Sequence, residues 1–302
     1  MSSIRTMRFG MSSVVAIALV TILAAPAMAQ QPAAADPNPG NMTVTAGLDL
    51  PIAYMFRGIR QDDTKLIMQP YLDLGLAVYS GDSGLKSAAI NIGSWNSLHT
   101  GDTGTDGPSG KLWYEGDFYA TVDLAFGRGV SLGTTYTAYT SPNNMFSTVK
   151  ELAFRIGFDD TPYLGAGTLK PYALLAFELD TSLGSGQRDA GASAGRYLEL
   201  GVEPGWAAPA ASLVFPVKMG LSLSGYYELN VGTARAPVFH DSNFGYLSVA
   251  GIATVPLGGT TSFGAWNVHG GLEFQVLGDT TEAINGGDAS KLIGSIGVGL
   301  SY

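Results

Sequence analysis

The chain has 302 residues, only 14% of them charged, with 41 glycines, no cysteine and a formal net charge of −9. The acidic balance argues against nucleic acid as a partner, and the lack of cysteine excludes disulfide staples and thiolate metal sites. Charged residues are scarce compared with the ~25% of a soluble domain, yet no stretch beyond the N-terminal segment approaches the ~20 apolar residues of a membrane helix.

At the N-terminus, Arg5 and Arg8 precede an apolar run from Val14 to Ala25 that ends in Ala27-Met28-Ala29. This pattern predicts a secretory signal peptide over residues 1–29, whose removal takes the formal charge from −9 to −11. Residues 30–41, rich in Pro and Ala, read as a flexible lead-in without a core of its own.

From Met42 onward apolar residues recur at every second position. Met42, Val44, Ala46, Leu48 and Leu50 alternate with Thr43, Thr45, Gly47 and Asp49, and the next run sets Leu72, Leu74, Leu76 and Val78 against Tyr71, Asp73, Gly75 and Tyr79. The period of two predicts twelve strands, at about 42–56, 66–79, 88–97, 112–126, 130–140, 150–159, 169–181, 196–206, 212–229, 244–256, 263–276 and 291–302. Longer polar connections follow the odd-numbered segments (57–65, 98–111, 141–149, 182–195, 230–243 and 277–290). Mostly shorter turns follow the even-numbered ones (80–87, 127–129, 160–168, 207–211 and 257–262).

An exported, weakly charged, glycine-rich chain with an even number of alternating segments fits an all-β architecture, a closed antiparallel up-and-down transmembrane barrel. The long loops then lie outside the cell and the short turns in the periplasm of a Gram-negative bacterium. The last strand, Leu292 to Tyr302, has an apolar face and would be a hazard as a free edge; pairing it with the first removes both edges. A secreted β-sandwich or lipocalin-like barrel would bury the same parity inward, and the charges on the polar parity speak against it. The partners expected are outer-membrane lipid and lipopolysaccharide around the wall and small solutes or ions within it, with a homo-oligomer left open.

If the apolar parity meets lipid, the other lines the lumen. It carries Glu115, Asp117 and Asp123 in the fourth segment, Glu151 and Arg155 in the sixth, Glu178 and Asp180 in the seventh, and Glu199, Glu203, Glu228, His269 and Glu273 beyond. Such a wall favours cations over anions, which predicts passive diffusion with cation preference. The alternative is a filled, nonconducting scaffold barrel in which the carboxylates pair with Arg57, Arg60, Arg155 and Arg196.

His99 and His269 have no ligand spacing, so neither a metal site nor a cofactor is expected. In His240-Asp241-Ser242-Asn243 a histidine and a serine two apart share a strand face, the arrangement in which an imidazole can activate a hydroxyl. The string also resembles the His-x-Ser-Asn of outer-membrane lipid A deacylases and phospholipases, which gives a lipid hydrolase as a further alternative. On strand parity both residues point to the lumen, away from lipid, and the chain is read as a non-enzyme.

Tyr54-Met55-Phe56-Arg57-Gly58-Ile59-Arg60-Gln61, followed by Gln69-Pro70, and Ile92-Gly93-Ser94-Trp95-Asn96-Ser97 resemble the Y-x-F-R-G-x-x-Q and G-x-W-x-S strings of the TorF-type porin family, mostly uncharacterised barrels of Gram-negative outer membranes. Arg60 and Asp62 stand where the family's R-G-x-S-Q-S has serines. The resemblance covers residues 42–97 and is looser beyond, and it implies an outer-membrane barrel with a channel function. Arg57 ends the first predicted strand at the first external loop. There it can either reach lumen carboxylates and fix the loop over the mouth, or meet lipopolysaccharide phosphates at the rim.

Overall fold

The computed structural model describes residues 40–180, 194–208, 210–233, 235–259 and 261–302. The expected signal peptide, nearly all of the lead-in and most of the fourth external loop lie outside these residues.

Twelve antiparallel wall strands form the fold: β1 (Met42–Pro51), β2 (Ile67–Ser80), β3 (Leu85–His99), β4 (Trp113–Phe126), β5 (Val130–Thr140), β6 (Val149–Phe158), β7 (Tyr172–Glu178), β8 (Arg196–Val202, continued by Gly205–Ala208), β9 (Ala211–Val214 continued by Val217–Ser224), β10 (Phe244–Pro256), β11 (Ala265–Leu277) and β12 (Ser290–Ser301). Each pairs with its neighbours in sequence, and β12 returns to β1 with Leu48 opposite Val298 and Thr45 opposite Ser301. The cycle is complete, so no strand edge is left to meet hydrocarbon. The breaks in β8 and β9 fall at Pro204 and Pro216, residues that cannot donate to the ladder.

Leu72, Leu74 and Leu76 on β2, Phe154 and Ile156 on β6, Leu272 and Phe274 on β11 and Leu292, Ile296 and Val298 on β12 all remain exposed. They form the apolar outer belt, with Tyr79, Trp206, Trp266 and Tyr302 exposed toward the periplasmic end, where amphipathic rings suit the lipid interface. The alternating parity therefore faces outward, as expected of a membrane barrel.

Glycine on the inner face is matched to tyrosine on the adjacent strand. Tyr71 lies opposite Gly47, Tyr119 opposite Gly93, Tyr172 opposite Gly201 and Tyr246 opposite Gly220. In each pair a Cβ built on the glycine would strike the tyrosine ring. The ring thus lies flat along the wall over the bare backbone, an arrangement that only glycine admits.

Two expectations need correction. The first strand stops at Pro51, because residues 54–62 leave the wall and form a separate hairpin, Tyr54–Phe56 with Ile59–Asp62. The ninth stops at Ser224, and Glu228 belongs to a second loop hairpin, Glu228–Asn230 with Phe239–Asp241. Both segments alternate like strands because they are strands, paired within their own loops.

Gly201→Val would place a methyl group where a Cβ already comes within 2.5 Å of the Tyr172 ring, which is anchored by a 2.8 Å hydrogen bond from its hydroxyl to Glu199. The expected cost is about 1 to 3 kcal/mol, seen as a lower urea midpoint for unfolding from micelles. An unchanged midpoint would mean that the ring is not seated on the glycine.

Candidate functional site

The first external hairpin is the centre of the lumen's architecture. Its two-residue turn, Arg57-Gly58, has φ of 48° and 79°, the left-handed pair that a tight hairpin needs. Glycine adopts this backbone freely, whereas arginine adopts it at a cost offset by what the side chain reaches.

Starting from β1, the hairpin crosses the lumen. The Arg57 guanidinium grips Glu151 on β6 through two bonds of 2.6 and 2.9 Å and donates to the Tyr226 hydroxyl at 3.0 Å. Its carbon lies 4.1 Å from the centre of the Tyr197 ring on β8, and Tyr139 on β5 donates to Glu151 at 3.2 Å. On the backbone, the Tyr227 hydroxyl donates to the Arg57 carbonyl at 2.9 Å, and Asn285, in the loop between β11 and β12, bonds the Gly58 carbonyl and the Arg60 amide, both at 2.8 Å. Glu151 is 2% exposed and Arg57 11%. A charge pair this dry holds only when both partners are saturated with bonds, as here.

Around the hairpin the external half of the lumen is packed solid. Ile59 meets Tyr197, Tyr226, Tyr227, Tyr246 and Leu277 on one side, and Tyr54 meets Ile67 and Tyr114 on the other. Glu199 accepts hydroxyl bonds from Tyr172, Tyr197 and Tyr246 at 2.7 to 2.8 Å, so three phenols solvate one carboxylate in place of water. Glu115 and Asp117 are buried here as well, close to Tyr54, and each has one oxygen with no hydrogen-bond partner. Glu178 accepts the Gly195 amide at 2.8 Å at the edge of the same region.

The periplasmic half differs. Arg155 and Glu203 pair at 3.3 Å while staying 41% and 40% exposed, with Arg155 above the Tyr172 ring. Asp123 accepts from Asn91 at 2.7 Å near a small cavity of about 140 Å³ lined by Asp123, Ser131 and Arg155. Nearer the external end of β11, Glu273 bonds the buried Ser248 and Gln275, and Lys218 lies 3.8 Å away. His269 faces Asp49 at 2.6 Å across Gly297, whose lack of a side chain leaves room for the pair and joins β11 to β1 over the closing strand.

Of the residues expected to line the lumen, Glu115, Asp117, Asp123, Glu151, Arg155, Glu178, Glu199, Glu203, His269 and Glu273 sit on the inner face or at its ends. The upper five carboxylates, Glu115, Asp117, Glu151, Glu178 and Glu199, are packed against the plug. Glu228 lies outside the wall, and Arg57 reaches lumen carboxylate rather than the rim. Arg60 pairs with Asp63 at 3.3 Å and Asp288 at 3.2 Å in the loops, and Arg196 is exposed.

His240 is exposed on the outer hairpin. The Ser242 hydroxyl points to the Phe244 carbonyl at 3.5 Å, and among the described residues no hydrogen bond joins His240 to Ser242. A serine-histidine contact does occur elsewhere. Ser97 Oγ and His99 Nε2 are 2.7 Å apart, and His99 Nδ1 lies 3.5 Å from Asp62, with Thr103 bonded to both His99 and Asp62. Ser97 and His99 are completely buried, and this network ties the hairpin to β3 and the second loop. In the sequence His99 shows no ligand spacing, and its partner Asp62, more than thirty residues away, has no local signal.

A closed twelve-stranded barrel with an apolar belt, a polar interior and long loops at one end is an outer-membrane β-barrel of the Gram-negative type. No family model matches the chain, and no curated protein matches its sequence. Among solved structures it is similar to an outer-membrane channel from Pseudomonas putida F1 (10% identity over 88% of this chain and 97% of that one, TM-score 0.47) and to outer membrane phospholipase A from Escherichia coli (10%, 85% and 92%, 0.42). It is also similar to the NanC porin (10%, 86% and 98%, 0.39). At these identities and scores the likeness carries nothing about activity.

Asp62 and Asp63 make the plug sensitive to acid. Burial opposes their ionisation, but it is outweighed for Asp62 by bonds from Thr103 and Thr64 and for Asp63 by Lys291 and Arg60, so both titrate below the ordinary 3.8. A depressed acid stabilises the fold above its unfolded value and ceases to do so as pH falls through the folded one. Protection factors of the amides in residues 54–64, referred to the intrinsic exchange rate at each pH, are therefore expected to be constant from pH 7 to about 5 and to fall below about pH 4. Constant protection down to pH 3 would refute the role of these two carboxylates.

Proposed function

We propose that the protein is a porin-like channel for passive diffusion of small solutes or ions, with cation preference, and that it belongs with the TorF-type porins its first strands resemble. The observation that carries this reading is the sign of the inner wall. Asp49, Asp73, Asp123, Glu199, Glu203 and Glu273 face inward, against Arg155 and Lys218 and a Lys291 already engaged by Asp63 at 2.5 Å. In a narrow passage with low-dielectric walls, an excess of carboxylate lowers the entry energy of cations and raises that of anions.

The packed hairpin supports a second element of the reading: at rest the external half is closed, and conduction requires the hairpin to leave the far wall. A permanently shut scaffold barrel is the competing reading, and the same hairpin favours it.

Purified barrel in a planar bilayer under a potassium chloride gradient is expected to show discrete openings whose reversal potential has the sign of potassium selectivity. Glu203→Gln and Asp123→Asn together should move that potential toward zero. A reversal potential of anion sign would refute the preference. A silent bilayer with insertion confirmed would favour the scaffold.

A further inference from the structure

The group that fastens the plug is also a ligand held in a binding site. Four residues that do not belong to the hairpin surround the Arg57 guanidinium: Glu151 supplies both carboxylate oxygens, Tyr226 an acceptor hydroxyl, Tyr197 a ring face at 4.1 Å, and Tyr139 a hydroxyl that orients Glu151. A carboxylate fork opposite an aromatic plane matches a flat, delocalised cation with paired N–H donors. It matches an alkylammonium poorly, because a point charge cannot fill both oxygens and stack at once. Among the described residues no group of three or more His, Cys, Asp or Glu could hold a metal ion.

We propose that this cage, formed by Glu151, Tyr139, Tyr197 and Tyr226, is a receptor for solutes bearing a guanidinium group, and that Arg57 is its tethered occupant, displaced when such a solute arrives. The inference deepens the channel reading by naming a solute class, and it rests on that reading only for what displacement does to the current. A short tether gives its group an effective concentration in the millimolar range, which a free solute must match in order to compete.

The test separates binding from conduction. In Arg57→Ala the cage loses its occupant, and methylguanidinium at millimolar concentration is expected to refill it. The unfolding temperature of this variant in micelles should rise by about 2 to 4 °C, while equimolar methylammonium does little and Arg57→Ala/Glu151→Gln responds to neither. Should Arg57→Ala fail to fold, Arg57→Lys, which offers a single point charge to the same carboxylate, takes its place with the same expectation.

In bilayers, millimolar methylguanidinium should increase the opening frequency of the unaltered protein severalfold over methylammonium at equal ionic strength. Equal thermal responses from the single and double variants, or no response from the single one, would overturn the receptor. A thermal response without any channel current would uphold the cage while refuting the channel reading on which the gating role depends.

Discussion

Everything in this molecule follows from the need to satisfy backbone amides and carbonyls where no water is present. Twelve strands meet that need only as a cycle, so the pairing of β12 with β1 completes the whole wall rather than adding one more hairpin to it. Once the cycle is closed, side-chain parity leaves no choice: apolar residues such as Leu74, Ile156 and Val298 turn to lipid, and everything polar is forced inward. The concentration of carboxylate in the lumen is as much a result of this sorting as of any functional demand.

Packing an acidic interior costs free energy unless its charges are answered, and outside Glu115 and Asp117 the chain answers them in two ways. Toward the periplasm, Arg155 with Glu203 and His269 with Asp49 stay partly wet, and water screens what pairing leaves over. Toward the outside, water is replaced by phenol hydroxyls around Glu199 and by one arginine brought across the lumen to Glu151. Filling half the lumen thus depends on a single turn in a loop, and Asn285, Asp62 and Asp63 fix that loop on three further sides.

The wall was legible in the sequence because its signal is local. Alternation at period two located all twelve strands, and loop lengths gave the sidedness. The plug was not legible as a plug. Residues 54–62 alternate as wall strands do, so Tyr54 and Phe56 read as an extension of β1, and the Arg57-Gly58 turn carries no mark of whether its hairpin points out or in. Glu228 was misplaced for the same reason, since a loop hairpin has the period of a wall strand. Glu151 and Tyr226, the partners of Arg57, and Asp62 beside His99 are separated from them by long stretches of chain, and residue spacing holds no record of such distances. Parity could say that Glu151 faces inward; only the fold says what it meets.

The tyrosine rings seated on glycines have a consequence for how the barrel is assembled. In the native alignment Tyr71 has Gly47 beneath it; sliding β2 along β1 by two residues would set the ring against the side chain of Thr45 or Asp49, although every backbone bond could form again. Hydrogen bonding alone is almost blind to such a slip, and apolar parity is preserved by it. The rings at Gly47, Gly93, Gly201 and Gly220 therefore act as notches at intervals around the circumference. They penalise a misaligned hairpin while the sheet is still open, before closure makes the error irreversible.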